Sequence, residues 1–151
     1  EMLVGDGTTM GKVVVEIELV NADDEALQRR SRRTSGEVRR ASFPAIVDTG
    51  STILVVPEDL IKELGLTVRR YVVSRYADGR AERRAVYGPA TLNVMGRSCS
   101  VDVLSVNAGR PALLGQIPLE YLDLLVDSKR QQLVPNPESP DMPIVEMPSV
   151  I

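Results

Sequence analysis

Residues Phe43-Pro44-Ala45-Ile46-Val47 form an apolar run that stops at Asp48-Thr49-Gly50-Ser51-Thr52, and the chain leaves that polar stretch through a second apolar run, Ile53-Leu54-Val55-Val56. The run before Asp48 has too few polar residues to be a surface strand, so it reads as a strand buried in a core. A carboxylate delivered to the edge of a core has to be hydrogen-bonded or functional, because its lost hydration is otherwise uncompensated. Gly50 lets the backbone turn sharply beside Asp48, and Thr49 and Ser51 bring hydroxyls able to orient it. On these residues alone two readings stand: an Asx-type turn that ends a strand, or an acid/base aspartate.

The rest of the composition narrows the chemistry. The chain has no histidine and a single cysteine, Cys99. Serine–histidine and cysteine–histidine nucleophiles are therefore excluded, as is an internal disulfide framework, and a zinc site would lack its usual ligands. The chemistry of an enzyme of this composition has to come from carboxylates, Lys, Tyr or a bound cofactor. At 151 residues the chain accommodates one domain with a real core, but not two lobes. With four Tyr, one Phe and no Trp, that core has to be aliphatic.

A net charge of −3 exerts no general pull on nucleic acid or membrane. Arg29, Arg30, Arg32, Arg33, Arg39 and Arg40 cluster ahead of the Asp48 strand, but no aromatic is interleaved for base stacking, and the run reads as a solvated loop. No stretch approaches the roughly 18 apolar residues of a membrane span, and the N-terminus lacks a basic-then-apolar signal pattern. The expectation is a soluble, cytoplasmic protein with no nucleic-acid or membrane partner.

Along the chain, Lys12 to Val20 alternates as a strand, and residues 22–42 read as an Arg-rich loop insertion with a helical fragment near Glu25 to Arg30. Pro57 to Gly65 reads as a short helix, with acids in its first turn and glycine at its stop. Val68 to Tyr76 and Ala81 to Tyr87 pair as a hairpin around Ala77-Asp78-Gly79-Arg80. Its dense charge points into solvent, making it either an ordinary exposed hairpin or a flap over a cleft. Strands Ala90 to Val94 and Cys99 to Val106 flank the turn Met95-Gly96-Arg97-Ser98, and an apolar strand ends at Leu113-Leu114-Gly115. A helix from Gln116 to Leu124 and a strand from Gln131 to Val134 follow. Met10 looks like a natural start, making residues 1–9 a leader. The main domain spans 10–137, and 138–151 forms an extended Pro-rich tail.

This order of elements, a strand into Asp48-Thr49-Gly50-Ser51, a solvent hairpin, a strand into Leu113-Leu114-Gly115 and a helix, resembles the retropepsin-like aspartic proteases. Leu114-Gly115-Gln116 through Leu124-Leu125-Val126-Asp127 looks like the bacterial, non-viral branch. The resemblance implies a mainly β fold, a closed acid-protease barrel with one or two short helices. It implies Asp48 as the catalytic residue, supported by Thr49, Gly50 and Ser51, with Thr49 bonding across a dimer axis and Ser51 bonding the outer oxygen of Asp48. Ala77, Asp78, Gly79 and Arg80 would form the flap tip, and Leu113, Leu114 and Gly115 would brace the loop. Ile53, Val55 and Leu114 are candidates for pocket or core positions.

The family's active site takes one such loop from each of two chains. The present sequence holds one Asp-Thr-Gly, so a second carboxylate has to come from a second copy. The expected activity is peptide-bond hydrolysis by a homodimeric aspartic endopeptidase acting on peptide or protein substrates, and the resemblance implies neither metal nor cofactor. The alternative is an idle dimer of the same fold that binds peptides or a partner protein. Asp-Thr-Gly-Ser-Thr also resembles the first phosphate loop of actin-like and sugar-kinase ATPases, but those folds need a longer chain and a second phosphate loop, which this sequence lacks.

Overall fold

Alternation of apolar and charged residues sets the first strand: Ile17 and Leu19 are buried, while Glu16 and Glu18 face outward. The computed structural model, which describes residues 12–31 and 37–149, runs this strand as β1 (Val14–Asn21). It is followed by α1 (Ala22–Ser31), β2 (Arg40–Val47), β3 (Leu54–Pro57), α2 (Glu58–Leu64), β4 (Thr67–Arg75) and β5 (Ala81–Val94). The remaining elements are β6 (Arg97–Val106), β7 (Ala112–Leu114), α3 (Gln116–Leu122), β8 (Leu124–Asp127) and β9 (Gln132–Pro135).

Six strands close on themselves in the order β1-β2-β7-β3-β6-β5, the ring being sealed where the second half of β1 pairs with β5, from Glu18↔Asn93 to Asn21↔Ala90. The fold is thus a mainly β closed barrel, which leaves few open edges for intermolecular pairing. β4 lies outside the ring and pairs with β5 as a hairpin, whereas β8 and β9 form a separate two-stranded sheet. Ile17, Leu19, Leu54, Val56, Leu92, Val94, Val103 and Leu114 fill the barrel at 1% exposure or less. At about 1.5–3 kcal/mol for each such side chain, an aliphatic core suffices without tryptophan.

Three short helices stand where one or two were expected. The helical fragment expected near Glu25 to Arg30 is present as the full helix α1, which begins three residues earlier and occupies much of the segment read as an Arg-rich loop. Its start is capped by Asn21, whose Oδ1 accepts the Asp24 amide at 3.0 Å, while Asn21 Nδ2 donates to the Leu64 carbonyl at 2.9 Å at the end of α2. Buried Asp24 then accepts from the Arg39 amide at 3.0 Å, from Nε at 2.8 Å and from a terminal guanidinium nitrogen at 3.0 Å. That bidentate pair ties the helix to the entry of β2. The leader expected over residues 1–9 lies outside the described residues, as do Arg32 and Arg33.

β5 is one 14-residue strand, not two, because a register shift between Tyr87 and Ala90 accommodates Gly88-Pro89 within the ladder. The β5–β6 turn is also tighter than expected. Met95 (φ 52°) and Gly96 (φ 78°) supply the two positive angles of a two-residue hairpin, and Arg97 already belongs to β6. The expected helix over Pro57 to Gly65 is present as α2, with Gly65 left-handed (φ 67°) at its C-cap. Among the described residues no helix is long and apolar enough to cross a membrane.

Candidate active site

The apolar run of β2 carries the chain to Asp48, where the ladder ends and a tight turn begins. The Gly50 amide donates to Asp48 Oδ1 at 2.9 Å, and the Ser51 amide donates to the Asp48 carbonyl at 3.0 Å. The Asx-type turn and the presented carboxylate are therefore one feature, since the turn fixes one oxygen and so orients the group. Among the described residues nothing hydrogen-bonds to Oδ2. Asp48 is half-buried, while Thr49 and Gly50 are exposed, so the loop faces outward from a rigid base. A Cβ added to Gly50 would stand 3.2 Å from Asp48 Oδ1, which explains the small residue there.

The base comes from β7 and the start of α3. β7 runs parallel to β2, pairing Ala45↔Ala112, Ile46↔Leu113 and Val47↔Leu114, and it meets β3 at Val55↔Leu113. It thereby wedges between the strand that enters the Asp48 loop and the strand that leaves it. The Asp48 amide donates to the Leu114 carbonyl at 3.0 Å, the Gln116 amide to the Ser51 carbonyl at 2.8 Å, and the Ile117 amide to the Thr52 carbonyl at 3.0 Å. Gly115 makes this approach feasible: a Cβ there would meet the Ile53 carbonyl oxygen at 2.5 Å and that of Ser51 at 2.6 Å. Leu113, Leu114 and Gly115 thus lie directly behind the loop.

Ser51 departs from its expected role. Its hydroxyl donates to the Ile53 carbonyl at 3.2 Å, not to Asp48, and so stabilises the exit of the turn. Val55 and Leu114 are core residues, at 5% and 0% exposure, and Ile53 is partly covered. Thr49 lines a pocket of about 320 Å³ with Gln116, Leu119, Leu125 and Val126. Leu125 (46%) and Val126 (38%) expose apolar surface beside the loop.

Ala77, Asp78, Gly79 and Arg80 form the tip of the β4–β5 hairpin, away from the loop in sequence but on the element outside the barrel ring. The Gly79 amide donates to the Tyr76 carbonyl at 3.0 Å, with Gly79 at φ 90°. Asp78 accepts from the Arg80 amide at 3.0 Å and from its Nε at 2.9 Å, and these bonds hold its carboxyl below the usual range. Arg80 also covers the Tyr76 ring at 4.7 Å, and Arg83 that of Tyr71 at 3.9 Å. The tip is thus a structured turn and not a loose loop.

One cluster escaped the sequence reading. Arg97 is 5% exposed and donates to the Leu122 and Asp123 carbonyls, at 3.0 Å each, and to that of Ser139. The carboxylate of Asp123, left-handed at the C-cap of α3 (φ 57°), accepts from Asn136 Nδ2 at 3.0 Å, the Ile144 backbone amide at 3.1 Å and the Ser139 hydroxyl. These bonds dock the Pro-rich segment, read as an extended tail without a core, against α3 and bury Ser139. The one local signal is the polar Asp123 between Leu122 and Leu124, where an αL-tolerant residue ends a helix.

Comparison with protein families finds a match to an aspartyl protease family over residues 34–116. The matched region begins ahead of β2, takes in the Asp48 loop and the β4–β5 hairpin, and ends at Gln116, next to the glycine that braces the loop. Comparison with curated proteins finds no match. A match over more than half of the chain, joined to a closed barrel with an Asp-Thr-Gly turn at its heart, places this chain in the retropepsin-like aspartyl protease family.

Proposed function

We propose that the protein is a homodimeric aspartic endopeptidase in which two copies of Asp48 form one active site. The observation that carries this reading is the carboxylate itself: held through one oxygen by Gly50, open at the other, and set on an outward-facing loop backed by β7. Apolar Leu125 and Val126 beside that loop supply surface for a second copy to cover.

Two carboxylates brought within hydrogen-bonding distance cannot both ionise, so the pair shares one proton. The ionised Asp48 takes a proton from a bound water, whose oxygen attacks the scissile carbonyl. The protonated Asp48 of the second copy hydrogen-bonds the developing oxyanion. Collapse of the tetrahedral intermediate breaks the C–N bond as a proton passes to the leaving nitrogen. Thr49, exposed at the tip of the turn, links the two loops. The β4–β5 hairpin serves as the flap, excluding water and pairing with an extended peptide.

The test is cleavage of an unbiased peptide library between about pH 4 and 7, where a shared-proton pair is competent. The reading predicts cleavage that a statine-type transition-state mimic blocks and that Asp48→Asn abolishes. Turnover that survives Asp48→Asn contradicts it, and a stable dimer inert across the whole range identifies a binding protein on the same fold.

A further inference from the structure

The tip end of the hairpin carries a pocket whose chemistry differs from the aliphatic barrel beneath it. Tyr76, Arg80, Glu82, Arg84, Asn107 and Arg110 line a polar space of about 300 Å³ between the hairpin and the β6–β7 loop. Three guanidinium groups thus meet one carboxylate. Arg80 is largely matched by Asp78, with Nε at 2.9 Å, and reaches Glu82 only at 4.0 Å. Arg84 is 18% exposed; the Tyr76 hydroxyl interacts with its guanidinium, its bonds to Glu82 at 3.4 Å and to Asn107 Oδ1 at 3.3 Å are long, and its buried Nε makes none. Arg110 is exposed and forms no ion pair among the described residues.

An arginine with an unbonded buried N–H, lining the same pocket as a second arginine that forms no ion pair, is a site for a planar anion. Its place in the fold says which one. Arg110 precedes β7 by two residues, and β7 ends at Leu114, whose carbonyl holds the Asp48 amide. Arg110 closes the turn that begins at Asn107, and the four residues from it to Leu114 span at most about 13 Å, the length of four residues of a bound peptide. An extended peptide under the hairpin therefore brings a side chain into this pocket close to the bond being cut.

Resting on the endopeptidase reading above, we infer that this pocket is a specificity subsite that takes the carboxylate of an Asp or Glu within about four residues of the scissile bond. Arg84 and Arg110 are the residues that bind it, with Glu82 restraining Arg84 until substrate arrives.

Two measurements test the subsite and keep its failure separate from that of the proteolytic reading. In the first, residue frequencies around cleavage sites are counted for a balanced peptide library. Acidic residues should be enriched about fivefold at one position, retained in Arg110→Lys and replaced by basic residues in Arg110→Glu. Cleavage without acidic enrichment, or a profile that Arg110→Glu leaves unchanged, overturns the subsite and leaves the protease standing. In the second, fluorescence anisotropy follows binding of a labelled Glu-containing peptide and its Gln analogue to Asp48→Asn protein. The Glu peptide should bind about tenfold tighter, and that advantage should vanish when Arg84→Gln or Arg110→Gln is added. Equal binding, or none, overturns the subsite. Selective binding by a chain whose wild type cleaves nothing upholds the pocket and sinks the protease.

Discussion

The backbone amide of Asp48 donates to the carbonyl of Leu114 at 3.0 Å, so the candidate catalytic residue is held by a strand 66 positions downstream. The bond continues the parallel β2–β7 ladder by one rung, and the bonds from Gln116 and Ile117 extend the same support around the turn. The position of the carboxylate is therefore a property of β7 and α3 as much as of the Asp-Thr-Gly tripeptide.

Gly115→Ala tests that dependence. Its Cβ would sit 2.5–2.9 Å from backbone atoms of Ser51 and Ile53, and backbone cannot swing aside as a long side chain can. We expect a loss of about 1–3 kcal/mol in chemical denaturation, as for other overpacked sites. Peptide cleavage should fall more than about tenfold in kcat, because the carboxylate shifts with its loop. Wild-type turnover in the folded variant would separate the loop from its brace.

Arg39 is about half exposed, but its partner Asp24 is 5% exposed, and the pair joins α1 to β2. Asp24 is the first cause of a raised Arg39 pKa, through their hydrogen bonds, so the guanidinium stays charged at any working pH. Arg39→Met removes two donors from a buried carboxylate and should cost about 2 kcal/mol in urea denaturation, below the cost of breaking a fully buried pair. Arg39→Lys should recover only part of this, lacking the bidentate fork.

The Ser139 hydroxyl first, then the Asn136 amide and the Ile144 N–H, hold the Asp123 carboxyl below its ordinary value. A carboxyl lowered on folding contributes stability above its unfolded pKa of about 3.9 and loses it as pH falls through the lower folded value. Asn at this left-handed position is tolerated, so Asp123→Asn removes the charge without backbone strain. Thermal melting from about pH 6 downward should show wild type more stable above about pH 4, with the gap closing below it. A gap independent of pH would assign the docking of the tail to other bonds.

Burial pushes the Cys99 thiol up to about 11. At about pH 8 its thiolate fraction is then roughly two hundred times smaller than that of a free cysteine. Ellman's reagent should label the native chain correspondingly slowly and label it at once in denaturant. Rapid labelling of the folded protein would mean that β6 opens readily at Cys99.

The elements legible in the sequence are those written in local pattern. The Glu16/Ile17/Glu18/Leu19 alternation, the apolar run into Asp48 and the Glu58 to Gly65 helix each carry their own period or stop residue, and each appears in the fold. What escaped depends on contacts distant in sequence. α1 was legible only as a fragment near Glu25 to Arg30, because its first turn is set by the bonds of Asp24 to Arg39, 15 residues away. Arg97 reaches Ser139 across 42 residues, which no local pattern announces. Gly88-Pro89 reads as a strand break, yet the register shift keeps β5 whole. At the site, the residues bracing Asp48 were legible only through the family resemblance, because Leu113-Leu114-Gly115 on its own reads as the end of an apolar strand. The Ser51 bond was not, because a hydroxyl in so tight a turn has two acceptors in reach and the choice is geometric.

The central claim is that one active site needs Asp48 from two chains, and subunit mixing tests it most directly. Wild type and Asp48→Asn protein, mixed in equal amounts, denatured together and refolded, should retain about one quarter of the activity of an all-wild-type sample, because only dimers with two wild-type copies turn over. Retention of about one half would mean that each chain acts alone and would contradict the account.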